Sequence, residues 1–180
     1  MRKLLVIVTL LFFITGCGND TARGAVKDYL NSYKNLDTGV LDDLETQVES
    51  LELNDDQREK YRDILEKQYK DISYDIEKEQ KEDDITYVTA NIKVYDLYKT
   101  QSDASVYLAD HMSEFYDETG KYDTSKYMDY KLEKMKDTTN KVEYTITFTV
   151  TKNENGDYVV TQPSATDLDK IHGVYEYDVK

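Results

Sequence analysis

From Val142 to Thr151 apolar and polar residues alternate without a break. Val142, Tyr144, Ile146, Phe148 and Val150 fall on one side, and Glu143, Thr145, Thr147, Thr149 and Thr151 on the other. Successive strand side chains point to opposite faces, so this run predicts a β-strand with one buried face and one face of threonines. Val88, Ala90, Ile92 and Val94 alternate in the same way with Tyr87, Thr89, Asn91, Lys93 and Tyr95, and Ile72, Tyr74 and Ile76 form a shorter run before them. Lys81-Glu82-Asp83-Asp84 between the two runs reads as a polar turn, hence a hairpin. Asn155-Gly156 is a type I′ turn signal, with Tyr158 to Thr161 as the returning strand and Pro163 as its end.

The rest of the chain keeps the helical period. Val26, Tyr29, Leu30 and Tyr33 mark one face of a first helix, broken at Asn35-Leu36-Asp37. Val40, Leu44, Val48 and Leu51 mark a second helix, capped by Asp37 or Thr38. Asn54 with Gln57 is a capping-box pattern opening a third, whose buried face is Tyr61, Ile64, Leu65 and Tyr69. Residues 102–118 return to helical spacing through Val106 or Tyr107, Leu108, His111 or Met112, and Phe115, and Gly120 closes them. Tyr127, Met128, Leu132 and Met135 predict a helix from Thr124 to about Lys136, and residues 166–173 a short capped one. The order α-α-α, β-β, α(-α), β-β, short α predicts one α+β domain over residues 23–178, its N-terminal helices packed on a curved antiparallel sheet.

The amino end is of another kind. Arg2 and Lys3 precede an apolar run from Leu4 to Ile14, too short for the roughly 20 residues that span a bilayer but suited to a secretory signal. The run ends in Ile14-Thr15-Gly16-Cys17, and Cys17 is the only cysteine of the 180 residues. This resembles the lipobox of bacterial lipoproteins. The resemblance implies that Cys17 receives a diacylglycerol through a thioether. Signal peptidase II would recognise Ile14, Thr15 and Gly16 and cut before Cys17. Residues 1–16 are then a lipoprotein signal peptide and residues 17–22 a lipidated tether. The expected location is the extracytoplasmic face of the cell membrane, held by lipid alone, since two acyl chains suffice for stable anchoring.

Charge agrees with that address. The chain carries 23 Lys and Arg against 37 Asp and Glu, and loss of Arg2 and Lys3 leaves a body of −16. Such a polyanion is repelled by anionic lipid and by phosphates, so no nucleic-acid partner is expected. One cysteine and two histidines make neither a zinc cluster nor a disulfide framework, and no cofactor or metal is expected. A single apolar run excludes a polytopic membrane protein.

The element order and the segments AVKDYLNSYKNLDTGVLDD (25–43), LNDDQREKYRDILEKQYKDISYD (53–75), ANIKVYDLYK (90–99) and LDKIHGVY (168–175) resemble NTF2-like domains of the cystatin-like superfamily. More closely they resemble small lipoproteins of low-GC Gram-positive bacteria. The resemblance implies a cone-like fold with a cavity between helices and sheet. It implies no activity.

The candidate pocket residues are Tyr95, Asp96, Tyr98 and His111. In an extended segment Tyr95 and Leu97 face one side, and Asp96 and Tyr98 the other. Tyr-Asp pairs serve as donor and base in isomerases of the NTF2-like kind. His111, on an amphipathic helix beside Met112, is expected to be a partly buried structural histidine. His172 ends the last short helix, where a cation or donor suits the helix dipole. No catalytic residue is assigned: no Gly-x-Ser-x-Gly, no phosphate loop and no second acid complete a site. The expected function is a non-catalytic module binding a small ligand or an envelope protein. The alternative is an isomerase or hydrolase using a Tyr/Asp site in the cavity.

Overall fold

The structure, a computed structural model, describes residues 19–178. Ile14 to Cys17, the expected lipobox, lie outside them. The chain folds as α+β: six helices and a four-stranded open antiparallel sheet in the order β1-β2-β3-β4, an arrangement consistent with an NTF2-like fold.

Helix α1 spans Ala22–Asn35, with Thr21 accepting from the Gly24 N–H as its cap. Its apolar stripe buries Val26, Leu30 and Tyr33. It closes through Leu36 at φ +53, with the Leu36 N–H on Tyr33 O and the Asp37 N–H on Ser32 O. That is a Schellman closure with leucine where glycine usually stands. Helix α2 is Thr38–Glu49 and buries Leu44 and Val48; Leu51 falls just past its end. Helix α3 is Asp55–Lys70, and its capping box is complete: the Asn54 side chain accepts from the Gln57 N–H, and Gln57 Oε1 from the Asn54 N–H.

Strands β1 (Ser73–Glu82) and β2 (Ile85–Tyr95) make the expected hairpin, but with a tighter turn. Lys81 and Glu82 belong to β1, paired with Thr86 and Ile85, and only Asp83-Asp84 turn, with Asp83 at φ +52. Both faces of β1 are wet there, so alternation gave no sign of where the strand ends. A bulge interrupts β1 between Ile76 and Lys78. The Arg23 guanidinium of α1 donates to the Ile76 and Glu77 carbonyls there, both at 3.1 Å.

Strand β3 (Lys141–Lys152) pairs with β2 from Val142↔Val94 to Val150↔Thr86, and its threonine face is outward. The turn to β4 (Tyr158–Val160) is longer than the two-residue hairpin expected. Type I′ geometry needs positive φ at both central residues. Here Gly156 has φ +86 and Asn155 does not. The Gly156 N–H returns to Asn153 O, and Asn153 Oδ1 accepts from the Asn155 and Asp157 N–H groups. The side-chain oxygen of Asn153 thus holds a five-residue loop.

Between β2 and β3 the chain crosses over through helix α4 (Leu97–Asp110), a 3-10 turn (Met112–Phe115) and helix α5 (Thr124–Asp137). The single helix expected over 102–118 is therefore corrected at both ends. It starts at Leu97, because Asp96 caps it, and stops at Asp110. Gly120, at φ +80, sits in a later turn. Helix α6 (Ala165–His172) is capped by Ser164 and closed by Gly173 at φ +73.

The core lies where α1 and α6 meet the inner face of the sheet, with α3 packed behind them. Val26, Leu30, Leu65, Ile72, Val88, Ala90, Ile92, Val94, Ile146, Phe148, Val150 and Ile171 are almost wholly excluded from solvent. Aromatic rings fill the rest: Tyr29 meets Phe148 edge-on at 5.8 Å, and Tyr33 meets Tyr69 at 5.1 Å. These side chains pack into one core cluster on the side of the sheet where the NTF2-like resemblance implies a cavity. No helix among the described residues is long and apolar enough to cross a membrane.

Candidate functional site

Gly173 organises the neighbourhood of the candidate residues. A Cβ there would stand 2.2 Å from Tyr95 O and 2.3 Å from Gln68 Nε2, so only glycine lets the end of α6 reach β2 and α3 this closely. Gln68 is fully buried. It clamps the end of β2, accepting from the Tyr95 N–H at 2.8 Å and donating to Tyr95 O at 3.3 Å. The Tyr98 N–H then donates to Gly173 O at 2.8 Å, which sets the start of α4 against the segment leaving α6.

Asp96 is 7% exposed. The extended segment expected here ends at Tyr95, and Asp96 is the N-cap of α4. Its Oδ1 accepts from the Lys99 N–H at 3.0 Å. Its Oδ2 accepts from the Tyr177 hydroxyl at 2.5 Å, across 81 residues of sequence. The Tyr177 ring packs against Tyr98, centroids 5.3 Å apart and planes at 54°. Tyr175 meets Tyr144 edge-on at 5.6 Å, and Lys170 lies over the Tyr175 ring at 5.5 Å.

The result is a depression of about 610 Å³ lined by Tyr98, Ser102, Tyr175, Glu176, Tyr177 and Asp178. Desolvation, with the Asp96 hydrogen bond and charge behind it, pushes the Tyr177 hydroxyl up to about 12. The Tyr144 hydroxyl, also raised, first by burial and then by the Asp96 charge, is buried and has no hydrogen-bond partner. A second depression, about 720 Å³, lies between α2 and α3. Arg62 forks onto Glu45 there at 2.7 and 2.8 Å, so charges already pair within it.

The four candidate residues divide. Asp96 and Tyr98 come together. Tyr95 points elsewhere: its hydroxyl donates to Asp71 at 2.6 Å, and Lys67 and Lys141 lie over its ring at 4.8 and 4.7 Å. His111 is remote, at the far end of α4, and it is exposed rather than partly buried. Its ring stacks on Tyr107 at 4.1 Å, and its Nδ1 lies 3.2 Å from Glu114. Of the two roles expected of His172, cation or donor, burial removes the first. Burial holds its imidazole at about 4, so it is neutral near pH 7 and gives the helix end no cation.

Sequence reasoning missed Tyr175, Tyr177, Tyr144 and Ser102 as members of the site. The Tyr175/Tyr177 alternation was the available local signal. Nothing in it names Asp96 as the partner. Among the described residues no group of three His, Cys, Asp or Glu is placed to hold a metal ion. Comparison of the chain with protein-family models, curated proteins and solved structures gives no match.

Proposed function

We propose that the chain is a lipid-anchored lipoprotein of the extracytoplasmic membrane face. Its body, an NTF2-like domain, binds a small ligand or an envelope protein without transforming it. The observation that carries the anchor is Cys17, the sole cysteine, directly after Ile14-Thr15-Gly16 at the end of an eleven-residue apolar run. The fold supports a short tether. Helix α1 begins at Ala22, and Asn19 O already accepts from the Tyr158 N–H at 3.1 Å.

The binding reading is supported by how Asp96 is used. A general base needs a free carboxylate oxygen within reach of its substrate proton. Here one oxygen caps α4 and the other holds Tyr177. The isomerase or hydrolase alternative draws on the same contact, since it sets a carboxylate beside a phenol.

Labelling with radioactive palmitate in a lipoprotein-processing host tests the anchor. Label should enter the wild-type chain and vanish in Cys17→Ser; a soluble, unlabelled wild-type product would overturn the reading. Thermal-shift screening and envelope pull-down test the binding function, which loses its support if neither yields a ligand or a partner.

A further inference from the structure

We propose that the depression between the start of α4 and residues 175–178 binds a substituted ammonium ion, seated on the Tyr98 and Tyr177 rings with Glu176 and Asp178 as counter-charges. The inference rests on the binding reading and narrows it to one ligand class.

The lining is the first reason. Three tyrosines, a serine and two carboxylates form it, and among the described residues no basic one does. The ring faces carry negative potential and the carboxylates full charge, so every element of the surface favours a cation.

The molecule's own lysines give the second. Five ammonium groups lie over four tyrosine rings: Lys67 and Lys141 on Tyr95, Lys134 on Tyr130, Lys152 on Tyr158 and Lys170 on Tyr175. Among the described residues none lies over Tyr98 or Tyr177. These two rings line a depression whose only charged lining residues are carboxylates, so a ring face and a counter-charge are both open to a cation from outside.

Third, Tyr177 is prepared for the task. Its hydroxyl donates to the Asp96 carboxylate, which fixes the ring and leaves more electron density on it. The same segment covers the Tyr144 hydroxyl, which belongs to a residue only 9% exposed and has no partner. An orphaned buried hydroxyl is uncommon in a finished protein interior and points to a polar group or water still to be supplied.

The rings also decide what kind of cation. Calcium and magnesium take six or more oxygen ligands in a cage, and no such cluster exists among the described residues. A methylated ammonium is large, weakly hydrated and suited to a ring face.

The test uses the folded full chain at low ionic strength. It is titrated with choline chloride, with 3,3-dimethylbutan-1-ol (the uncharged isostere of choline) and with sodium chloride, and tyrosine ring resonances are followed by NMR. Choline should shift Tyr98 and Tyr177 saturably, with the neutral isostere at least tenfold weaker and sodium chloride without a saturable effect. Tyr98→Leu should weaken choline at least tenfold, and Tyr107→Leu, in the other aromatic cluster, should leave it unchanged. Glu176→Gln, at an exposed position, weakens choline severalfold and serves if Tyr98→Leu fails to fold. Equal response to choline and its isostere overturns the cation proposal and leaves a binding pocket standing. No saturable response to either overturns the proposal, while the wider binding reading still awaits its own screen.

Discussion

The sheet with α1 and α3 and the crossover lobe of α4, the 3-10 turn and α5 are built by different means. In the first, aliphatic side chains from two layers exclude water almost completely, and Tyr29, Tyr33, Tyr69 and Phe148 fill what is left. In the second, only Leu97, Ala104, Phe115, Leu132 and Met135 are buried apolar residues. Its cohesion is aromatic. Tyr107 is sandwiched between His111 at 4.1 Å and Tyr130 at 4.9 Å, and Phe115 meets Tyr107, Tyr127 and Tyr130 edge-on. Val106 and Met112 are left 61% and 47% exposed. One region is held by removal of apolar area from water, the other by ring geometry at the surface. The two histidines show the same divide: His172 is half-buried against Tyr69 of the first region, and His111 stacks in the open in the second.

That contrast sets an order of mutational effects. Leu65→Ala, at a wholly buried position of α3, should cost about 2–5 kcal/mol in chemical denaturation, since a cavity there has no room to collapse. A loss below about 1 kcal/mol would mean that the layer is looser than described. Gln68→Leu removes the clamp and leaves the Tyr95 N–H and C=O unsatisfied. It should cost about 1–3 kcal/mol and loosen the start of α4, visible as faster amide exchange at Tyr95 and Tyr98.

His172 gives a pH signature. Its folded-state value of about 4 lies below the ordinary 6.5, so the unfolded chain binds the proton more readily. Its contribution is full above pH 6.5, falls as the pH drops toward 4, and levels off below. The loss is on the order of 1–3 kcal/mol. In His172→Phe the acid limb between pH 6.5 and 4 should be shallower in urea melts taken across that range. An unchanged limb would show that His172 titrates normally. In the lobe, Tyr107→Ala should cost only about 1–2 kcal/mol, from its ring pairs. Val106→Ser should stay within about 0.5 kcal/mol. Lobe values as large as that of Leu65→Ala would erase the distinction between the regions.

The same contrast governs what a reader of the sequence can see. Where a helix or strand buries one face against the sheet, the period is imposed by packing. Thus α1, α3 and β3 stand near the places that Val26 to Tyr33, Asn54 to Tyr69 and Val142 to Val150 predict; in the lobe α5, which packs on α3, does so too, near Tyr127 to Met135. In the lobe, Val106 and Met112 kept helical spacing without being buried, and the spacing blurred one helix and a 3-10 turn into a single element. The capping role of Asp96 shows only in the fold: no Glu or Gln stands at position 99 to complete a capping box. The site was half legible. Asp96 and Tyr98 were found because they are neighbours in sequence. Tyr177 was not, because its contact with Asp96 is made by the turn at Gly173 and not by any local pattern.

The hydrogen bond from the Tyr158 N–H to Asn19 O has a mechanical side. β4 is three residues long and pairs with β3 at Val150, Thr151 and Lys152, with one more bond from the Thr161 N–H to Thr149 O. Tension drawn through Asn19 is delivered to that narrow ribbon as well as to the first turn of α1. The pull meets the sheet at its border, where few ladder bonds share the load. The border would therefore yield at low load, while the layer beneath α1 stays whole.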